Sequence, residues 1–356
     1  MKMSYKYRAY ITQTVENRVR RCLWQCKQLY NIALSQRIMA YKYEQKTISN
    51  FDQYDIIRRS GGLDGIGWIG LDSVNIRVLQ NILKRLHLAY QSFFRRVKQG
   101  TEKAGFPKFQ YRNESFTLDL CNGNPYGWSL NGNILVVKNI GAFRLRLHRP
   151  IVGRIKTVTI KQECDQWYVI FSCDDVPQFL YPKTDKTIGI YIPRTYFLID
   201  SENNIQNELS YYRKSLAGLI DRQRIVSRRV KGSNRYKLAK LHLAKYHARI
   251  ARQRKYRIDN IISYYVRNYD VIKVNKFAVA KELEGTGKKG FSREKNKKTL
   301  DNAWSLFWTR LENKALASGK QVIFIENFKP DKKASLFENT KNLMACVEPT
   351  LKPVKA

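Results

Sequence analysis

Between residues 211 and 260 the chain carries sixteen lysines and arginines against two acids, Asp221 and Asp259. A solvent-facing helix normally balances its charges with opposite signs three or four residues apart. This stretch does not, so a rail for phosphates is a better reading than an idle basic face. Its candidate contacts are Arg222, Arg228, Arg229, Lys231, Arg235, Lys237, Arg249, Arg252 and Arg254. A second group, Asn75, Arg77, Gln80 and Lys84, has side chains of the types that reach base edges in a major groove. The polar outer face of a packed helix explains that group equally well. Lys108, beside Pro107, is a candidate phosphate contact.

Other chemistry finds less support. Cys22, Cys26, Cys121, Cys164, Cys173 and Cys346 form no C-x-x-C pair, which fits neither a disulfide framework nor a zinc ribbon. His87, His148, His242 and His247 make no ligand pattern, so no metal and no cofactor are expected. Trp304 and Trp308, four apart, read as helix core rather than a stacking platform.

The whole chain is consistent with a nucleic-acid partner. Its 356 residues allow two or three domains, and 43% hydrophobic content excludes a disordered basic tail. A net charge of +37 calls for a polyanion. No stretch approaches the ~20 apolar residues of a spanning helix, and the N-terminus has no apolar signal core. A cytoplasmic, nucleoid-associated protein with reduced thiols is expected, with no membrane partner.

Residues 4–11 alternate like a strand. Helical spacing runs from about Glu16 to Tyr43 and, after the glycine-punctuated stretch 61–70, from an N-cap at Asp72 to Val97. Five short strands are predicted at 114–120, 134–138, 142–147, 155–161 and 166–173, an antiparallel barrel or sheet that the first strand could complete. Past a boundary at 177–182, the order is two strands, two long helices (208–230 and 235–268), a strand at 271–274, a mobile Gly/Lys-rich loop (285–298), a helix at 301–318 and a strand at 321–325. The apolar positions of the two long helices, from Leu216 to Val230 and Leu238 to Ile261, are expected to face each other. This is an α/β arrangement, and residues 331–356 read as a disordered tail.

Several motifs stand in an order that resembles the TnpB family, the transposon-encoded ancestor of the type V CRISPR nucleases. They are Cys26-Lys27-Gln28-Leu29-Tyr30-Asn31, Phe106-Pro107-Lys108-Phe109, Ile155-Lys156-Thr157-Val158, Trp167-Tyr168-Val169, Lys231-Gly232-Ser233-Asn234-Arg235 and Ile250-Ala251-Arg252-Gln253-Arg254. The resemblance implies a multidomain α+β protein. An oligonucleotide-binding-type (WED) β-barrel would comprise 1–12 and 105–181, with a helical recognition (REC) lobe inserted at 13–104. A RuvC-like RNase H-fold domain with a basic helical hairpin would occupy 182–330. It also implies a guide RNA of the omega-RNA type, held by shape and backbone while base pairing selects double-stranded DNA. The cationic rail is then the guide RNA and heteroduplex contact, and the Asn75 group reads a short motif flanking the target. Tyr30 and Asn31 are expected to anchor helix to barrel.

Family members cut DNA with three carboxylates around a metal pair. By the same resemblance, Tyr191 (in Gly189-Ile190-Tyr191-Ile192-Pro193) and Asn275 (in Val271-Ile272-Lys273-Val274-Asn275) stand at the first two acidic positions. The third, with the zinc ribbon, has no counterpart. Asp185 and Asp200 read as turn residues, and Asp270 lies on the other face of its strand. The expectation is therefore no enzyme, but a nuclease-dead, RNA-guided repressor occupying a promoter. Rival readings are a nuclease with rearranged ligands, a guide-independent nucleic-acid binder and a decayed transposon nuclease.

Overall fold

In the computed structural model, which describes residues 1–54, 70–100, 104–121, 124–193, 195–279, 283, 291–326, 328–331 and 333–346, the first alternating segment becomes strand β1 (Met3–Tyr10). Tyr5, Tyr7 and Ala9 are buried while their neighbours face out. The first of two contact units, Met1–Pro177, is built around this strand. Antiparallel partners flank it on both sides: β6 (Gly141–Arg146) and β8 (Gln166–Asp174). With β2 (Ser115–Cys121), β3 (Asn124–Pro125), β4 (Trp128–Asn131), β5 (Ile134–Val137) and β7 (Arg154–Glu163), the sheet order is β3-β2-β7-β8-β1-β6-β5-β4. β3 and β4 have no counterpart among the expected strands; two and four residues are too few to display a period.

Between β1 and β2 the chain forms α1 (Gln13–Glu44) and α2 (Ile76–Lys98). The Thr12 hydroxyl caps α1, and Gln45 ends it in the left-handed region. The expected cap at Asp72 is corrected: Leu71–Ser73 is a single 3-10 turn, and Asn75 Oδ1 accepts the Arg77 N–H at 2.9 Å. The glycine stretch 61–69 lies outside the described residues. One core joins α1 (Val19, Leu23, Cys26, Leu34), α2 (Val78, Ile82, Leu86) and the sheet (Phe116, Phe143, Phe171). A two-point clamp fixes α1 to the segment before β2: Asn31 donates to Gln110 O at 3.0 Å and accepts from Gln110 N at 2.7 Å. Gly141, at φ +132°, passes so close to Val15 that a Cβ would lie 2.6 Å from a methyl.

The second unit, Gln178–Ala356, holds a five-stranded sheet ordered β11-β10-β9-β12-β13. Its strands are β9 (Thr187–Tyr191), β10 (Leu198–Asp200), β11 (Ile205–Gln206), β12 (Val271–Lys276) and β13 (Gln321–Glu326). β12 runs parallel to β9 and β13, whereas β9, β10 and β11 are antiparallel. The helices are α3 (Tyr211–Lys214), α4 (Leu216–Ser227), α5 (Asn234–Asn268), α6 (Phe291–Asn302), α7 (Trp304–Ala317) and α8 (Leu336–Ala345). Ile188, Ile190, Ile272 and Val274 of one sheet face pack on Ile258, Ile262 and Val266 of α5 and on Trp304, Phe307, Trp308 and Leu311 of α7. Both tryptophans are core.

Three expectations need correction. The mobile loop becomes helix α6 from Phe291 onward, and 285–290 lie outside the described residues. The expected tail contains α8, whose Ser335 hydroxyl accepts from Glu338 N and whose Leu343 is buried. Ten residues with one apolar stripe are too short a signal without the surface they cover, and 347–356 are outside the described residues. The two long helices also do not sheathe each other fully: Leu219 and Ile250 are buried, but Val230 and Leu238 are 79% and 55% exposed. Two helices alone cannot enclose a stripe.

Asp270, just before β12, ties this sheet together at one end. It accepts the backbone N–H groups of Thr184 at 2.8 Å and Asp185 at 2.6 Å, and it pairs with the buried Lys320 just before β13. The Lys320 hydrogen bond, with help from those two amides, holds the Asp270 carboxyl at about 2. An unfolded aspartate titrates near ~4, so this stability is complete above that value and is lost as the pH falls toward 2. Asp270→Asn should lower Tm at neutral pH, because the Lys320 ammonium loses its counter-charge. It should also flatten the fall in Tm between about pH 5 and about pH 2. Parallel acid-melting profiles for the two proteins would refute the role.

Candidate nucleic-acid interface

Helices α4 and α5 form the cationic arm. Buried residues of α5 begin only at Ile250, so residues 234–249 extend beyond the unit's core and keep their cations in solvent. Arg228, Arg229, Lys231, Arg235, Lys237 and Arg249 are exposed, and none has a side-chain partner among the described residues. Arg252 reaches only the carbonyl of Ala248, 3.3 Å away. Arg222 stacks over the Tyr246 ring at 4.0 Å and donates to Gly218 O, a packing role.

Arg254 is not part of the free rail. Its Nη2 lies 3.1 Å from Oδ1 of Asp301, a carboxylate with no exposed side-chain surface. Asp301 also accepts the N–H groups of Tyr212 and Arg213 and faces the Arg213 guanidinium at 3.6 Å. This joint holds the foot of the arm to α6. Sequence reasoning misses Asp301. An acid followed by Asn302 at the junction of two helical runs is its only signal, and Asn302 Oδ1 does cap Leu209 N at 2.8 Å.

On the first unit, Arg77, Gln80 and Lys84 line one cleft of about 230 Å³ together with Tyr54, Asn81 and Asp119. The helix can do this because its opposite stripe, Val78, Leu79, Ile82, Leu83 and Leu86, is buried. Arg85 donates to Ser115 O at 3.1 Å, laying α2 across β2. Asn75 departs from the group. Its Oδ1 is the cap of α2, its amide lies 3.3 Å from Tyr126 O, and it lines a different cavity with Arg18, Arg21 and Lys138. Lys108 is exposed beside buried Pro107, without a side-chain partner among the described residues. Asp119 is a second residue that sequence reasoning misses. It shares the outward face of β2 with Thr117, while Phe116 and Leu118 point to the core.

Tyr191 and Asn275 stand toward the carboxyl ends of the neighbouring parallel strands β9 and β12. Asn275 Oδ1 accepts the Ile192 N–H at 2.8 Å, and both side chains are buried. Tyr191 packs edge-on to Phe328 at 5.8 Å. Strand alternation puts both residues on the face opposite the main core, the face that α8 covers: Met344 and Thr340 crowd Gly189, and Lys273 caps α8 by donating to Met344 O and Cys346 O. The Asn275 amide is thus engaged by a backbone N–H, and the Tyr191 ring is packed. Among the described residues no cluster of three His, Cys, Asp or Glu could hold a metal ion. Asp200 is a turn residue: it accepts from Glu202 N, Asn204 N and, at 2.9 Å, the Tyr265 hydroxyl. Burial and this carboxylate push the Tyr265 hydroxyl far above its ordinary range.

No established protein-family profile matches the chain. It is 25% identical, over 336 residues, to a Streptomyces pristinaespiralis protein named as an RNA-guided DNA endonuclease; the alignment covers 94% of this chain and 79% of that protein. A second relative, from Escherichia coli (strain K12), is named as the RNA-guided DNA endonuclease InsQ. It is 27% identical over 265 residues, covering 69% of this chain and 61% of its own length. A solved structure, the Cas12f1-sgRNA-target DNA complex, superimposes with a TM-score of 0.52 at 12% identity, covering 96% of this chain and 94% of that one. That likeness shows a shared multidomain α+β fold. Among the described residues no helix is long and apolar enough to cross a membrane.

These relatives overturn the expectation that the chain is no enzyme, since both are named as endonucleases. That expectation rested on side-chain type at strand positions aligned by resemblance. Residue type at a strand position does not determine which groups a folded site recruits from helices and loops. The arm itself is open to test. Replacing Arg228, Arg229 and Arg235 by Gln should leave Tm unchanged and reduce the log–log salt slope of RNA binding by about 2, at ~0.7 per lost single-strand contact. Arg254→Ala should instead cost about 2 kcal/mol of stability through the loss of a charged hydrogen bond. Equal effects of the two variants on Tm would contradict this division.

Proposed function

We propose that this chain is a TnpB-type protein that binds a guide RNA and, directed by it, a double-stranded DNA target beside a short flanking motif. The observation that carries this is the arm, where six cations project from α5 and the turn that joins it to α4 without an internal counter-charge among the described residues. A polyanion is the partner such a surface lacks. The names of the two relatives, and the RNA and DNA of the Cas12f1 complex, support guided DNA recognition over a guide-independent binder.

In this reading 1–12 and 105–181 serve as the barrel, 13–104 as the recognition lobe and 182–330 as the RuvC-like domain. The strand order β11-β10-β9-β12-β13, with parallel strands following the antiparallel meander, supports the last of these. Arg77, Gln80 and Lys84 approach the flanking duplex. A complex held on a promoter obstructs transcription whether or not strand scission follows, so repression is the regulatory outcome proposed.

The test is to sequence RNA that co-purifies with the protein, map its DNA sites in cells, and incubate the complex with matched duplex and divalent ions. One defined RNA, with occupied sites that match its end beside a constant motif, is expected. Binding should weaken steeply with salt, by about 10³-fold or more between 50 and 200 mM if six or more phosphates are contacted. Heterogeneous RNA with no matched sites would leave only a guide-independent binder.

A further inference from the structure

The motif Phe106-Pro107-Lys108-Phe109 belongs to a surface that neither the arm nor the α2 cleft uses. At the carboxyl end of α2, four aromatic rings form one cluster. Tyr90 and Phe93 both meet Phe106 edge-on, at 5.5 Å and 5.2 Å. Phe94 lies 5.2 Å from Phe93 and 6.2 Å from Tyr90. Such a cluster ordinarily closes a core, yet Phe94 is 59% exposed and Phe106 44%. It is also firmly anchored. Arg37 lies over the Tyr90 ring at 5.4 Å, Arg96 donates to Gly105 O at 2.7 Å, and the Asn31 clamp holds Gln110. Arg95, Lys98 and Lys108 stand exposed in the same two segments, without a side-chain partner among the described residues. No acid occurs among the described residues from 88 to 112. An open apolar patch with a charged rim marks a binding surface.

We infer that this cluster is a stacking platform for unpaired bases of the RNA. Phe94 and Phe106 present the open aromatic surface, and Arg95, Lys98 and Lys108 supply charge for the adjoining phosphates. Every base has a π face, so anchored rings beside cations hold a single strand whatever its sequence. The arm and the platform thus call for different parts of one RNA, phosphates in the first case and unstacked bases in the second. A second copy of this chain is the poorer occupant. Its net charge is also +37, and a two-fold contact sets a patch against itself, which brings like cations together. Target DNA is engaged only intermittently and leaves the rings bare between targets, whereas a resident RNA keeps them covered. This inference rests on the proposed reading of the chain as a protein that carries a guide RNA.

The experiment uses the full chain purified with its own RNA. Ultraviolet irradiation should cross-link an unpaired nucleotide to a peptide that contains Phe94 or Phe106, identified by mass spectrometry. Phe94→Leu keeps the apolar bulk but loses the flat ring, and it should weaken RNA binding by about tenfold. Phe94→Trp should bind at least as tightly as the wild type. Neither variant should move Tm, because most of the Phe94 side chain lies in solvent. A further measurement leaves the protein untouched: the cross-linked nucleotide is made abasic. That RNA should cost the wild type the same factor and cost Phe94→Leu nothing more. Equal RNA affinity of the wild type and Phe94→Leu, or an abasic penalty that persists in Phe94→Leu, overturns the platform and leaves guided DNA binding standing. A wild-type dimer that becomes a monomer in Phe94→Leu, read by sedimentation, assigns the patch to a second copy and overturns it too. Absence of a defined RNA from the purified protein overturns both this inference and the reading beneath it.

Discussion

Sixty-six cations and twenty-nine carboxylates cannot neutralise one another, and most features of this molecule follow from where the few acids are placed. Asp301 sits, fully enclosed, between Arg213 and Arg254. Asp270 joins the starts of β12 and β13 through Lys320, and Asp259 pairs with Arg310 between α5 and α7. These carboxylates lie at joints, where a charge-assisted hydrogen bond is strongest because solvent is partly excluded. The arm has almost none. Its one internal pair among the described residues, Arg224 with Asp221 at 3.9 Å, is 68% exposed on both sides and contributes little. The free arm therefore carries an unrelieved field, and a phosphate chain along it removes repulsion as well as adding attraction.

The same division between enclosed and open surface runs through α2. One stripe of this helix closes the core of the first unit, which fixes its axis across β2; the other stripe then has no freedom about what it faces. Arg77, Gln80 and Lys84, at i, i+3 and i+7, are neighbours on that stripe. Anchored by Val78, Ile82 and Leu86, the helix holds these three side chains on a rigid element. Asp119 lines the same cleft from a different element, the strand β2.

Periodic features are legible in the sequence. The alternation of Tyr5, Tyr7 and Ala9, the aliphatic stripe of α2 and the Trp304–Trp308 spacing each report a burial pattern, and each is buried accordingly. What the sequence hides depends on partners distant in the chain. Arg254 reads as one more cation of the rail until Asp301, 47 residues on, is folded beside it. Asn75 reads as a base reader until its Oδ1 is seen to cap the helix it precedes. Asp119 reads as an ordinary strand polar residue, because nothing local marks an oxygen that folding closes off from water. Helix α8 is hidden for a related reason: its stability comes from the sheet face beneath Gly189 and from Lys273, neither of which its own ten residues reveal.

That sheet face shows why side-chain type is a poor guide to enzyme class. A comparison of Tyr191 and Asn275 with family positions treats each strand residue as though it acted alone, yet in the fold they share a surface with Lys273, Gly189, Phe328 and the underside of α8. The surface is covered by a helix from far along the chain, so its chemistry is a property of four separated segments. Asn275 illustrates the consequence. Its carbonyl oxygen is taken up by the Ile192 N–H at the end of β9, which makes it a structural brace between two neighbouring strands of the sheet. An Asp there could accept the same bond and keep a second oxygen for other work, whereas Asn replaces that oxygen with a donor. The brace and the chemistry of the strand end are thus separable, and the fold can retain the first whatever becomes of the second.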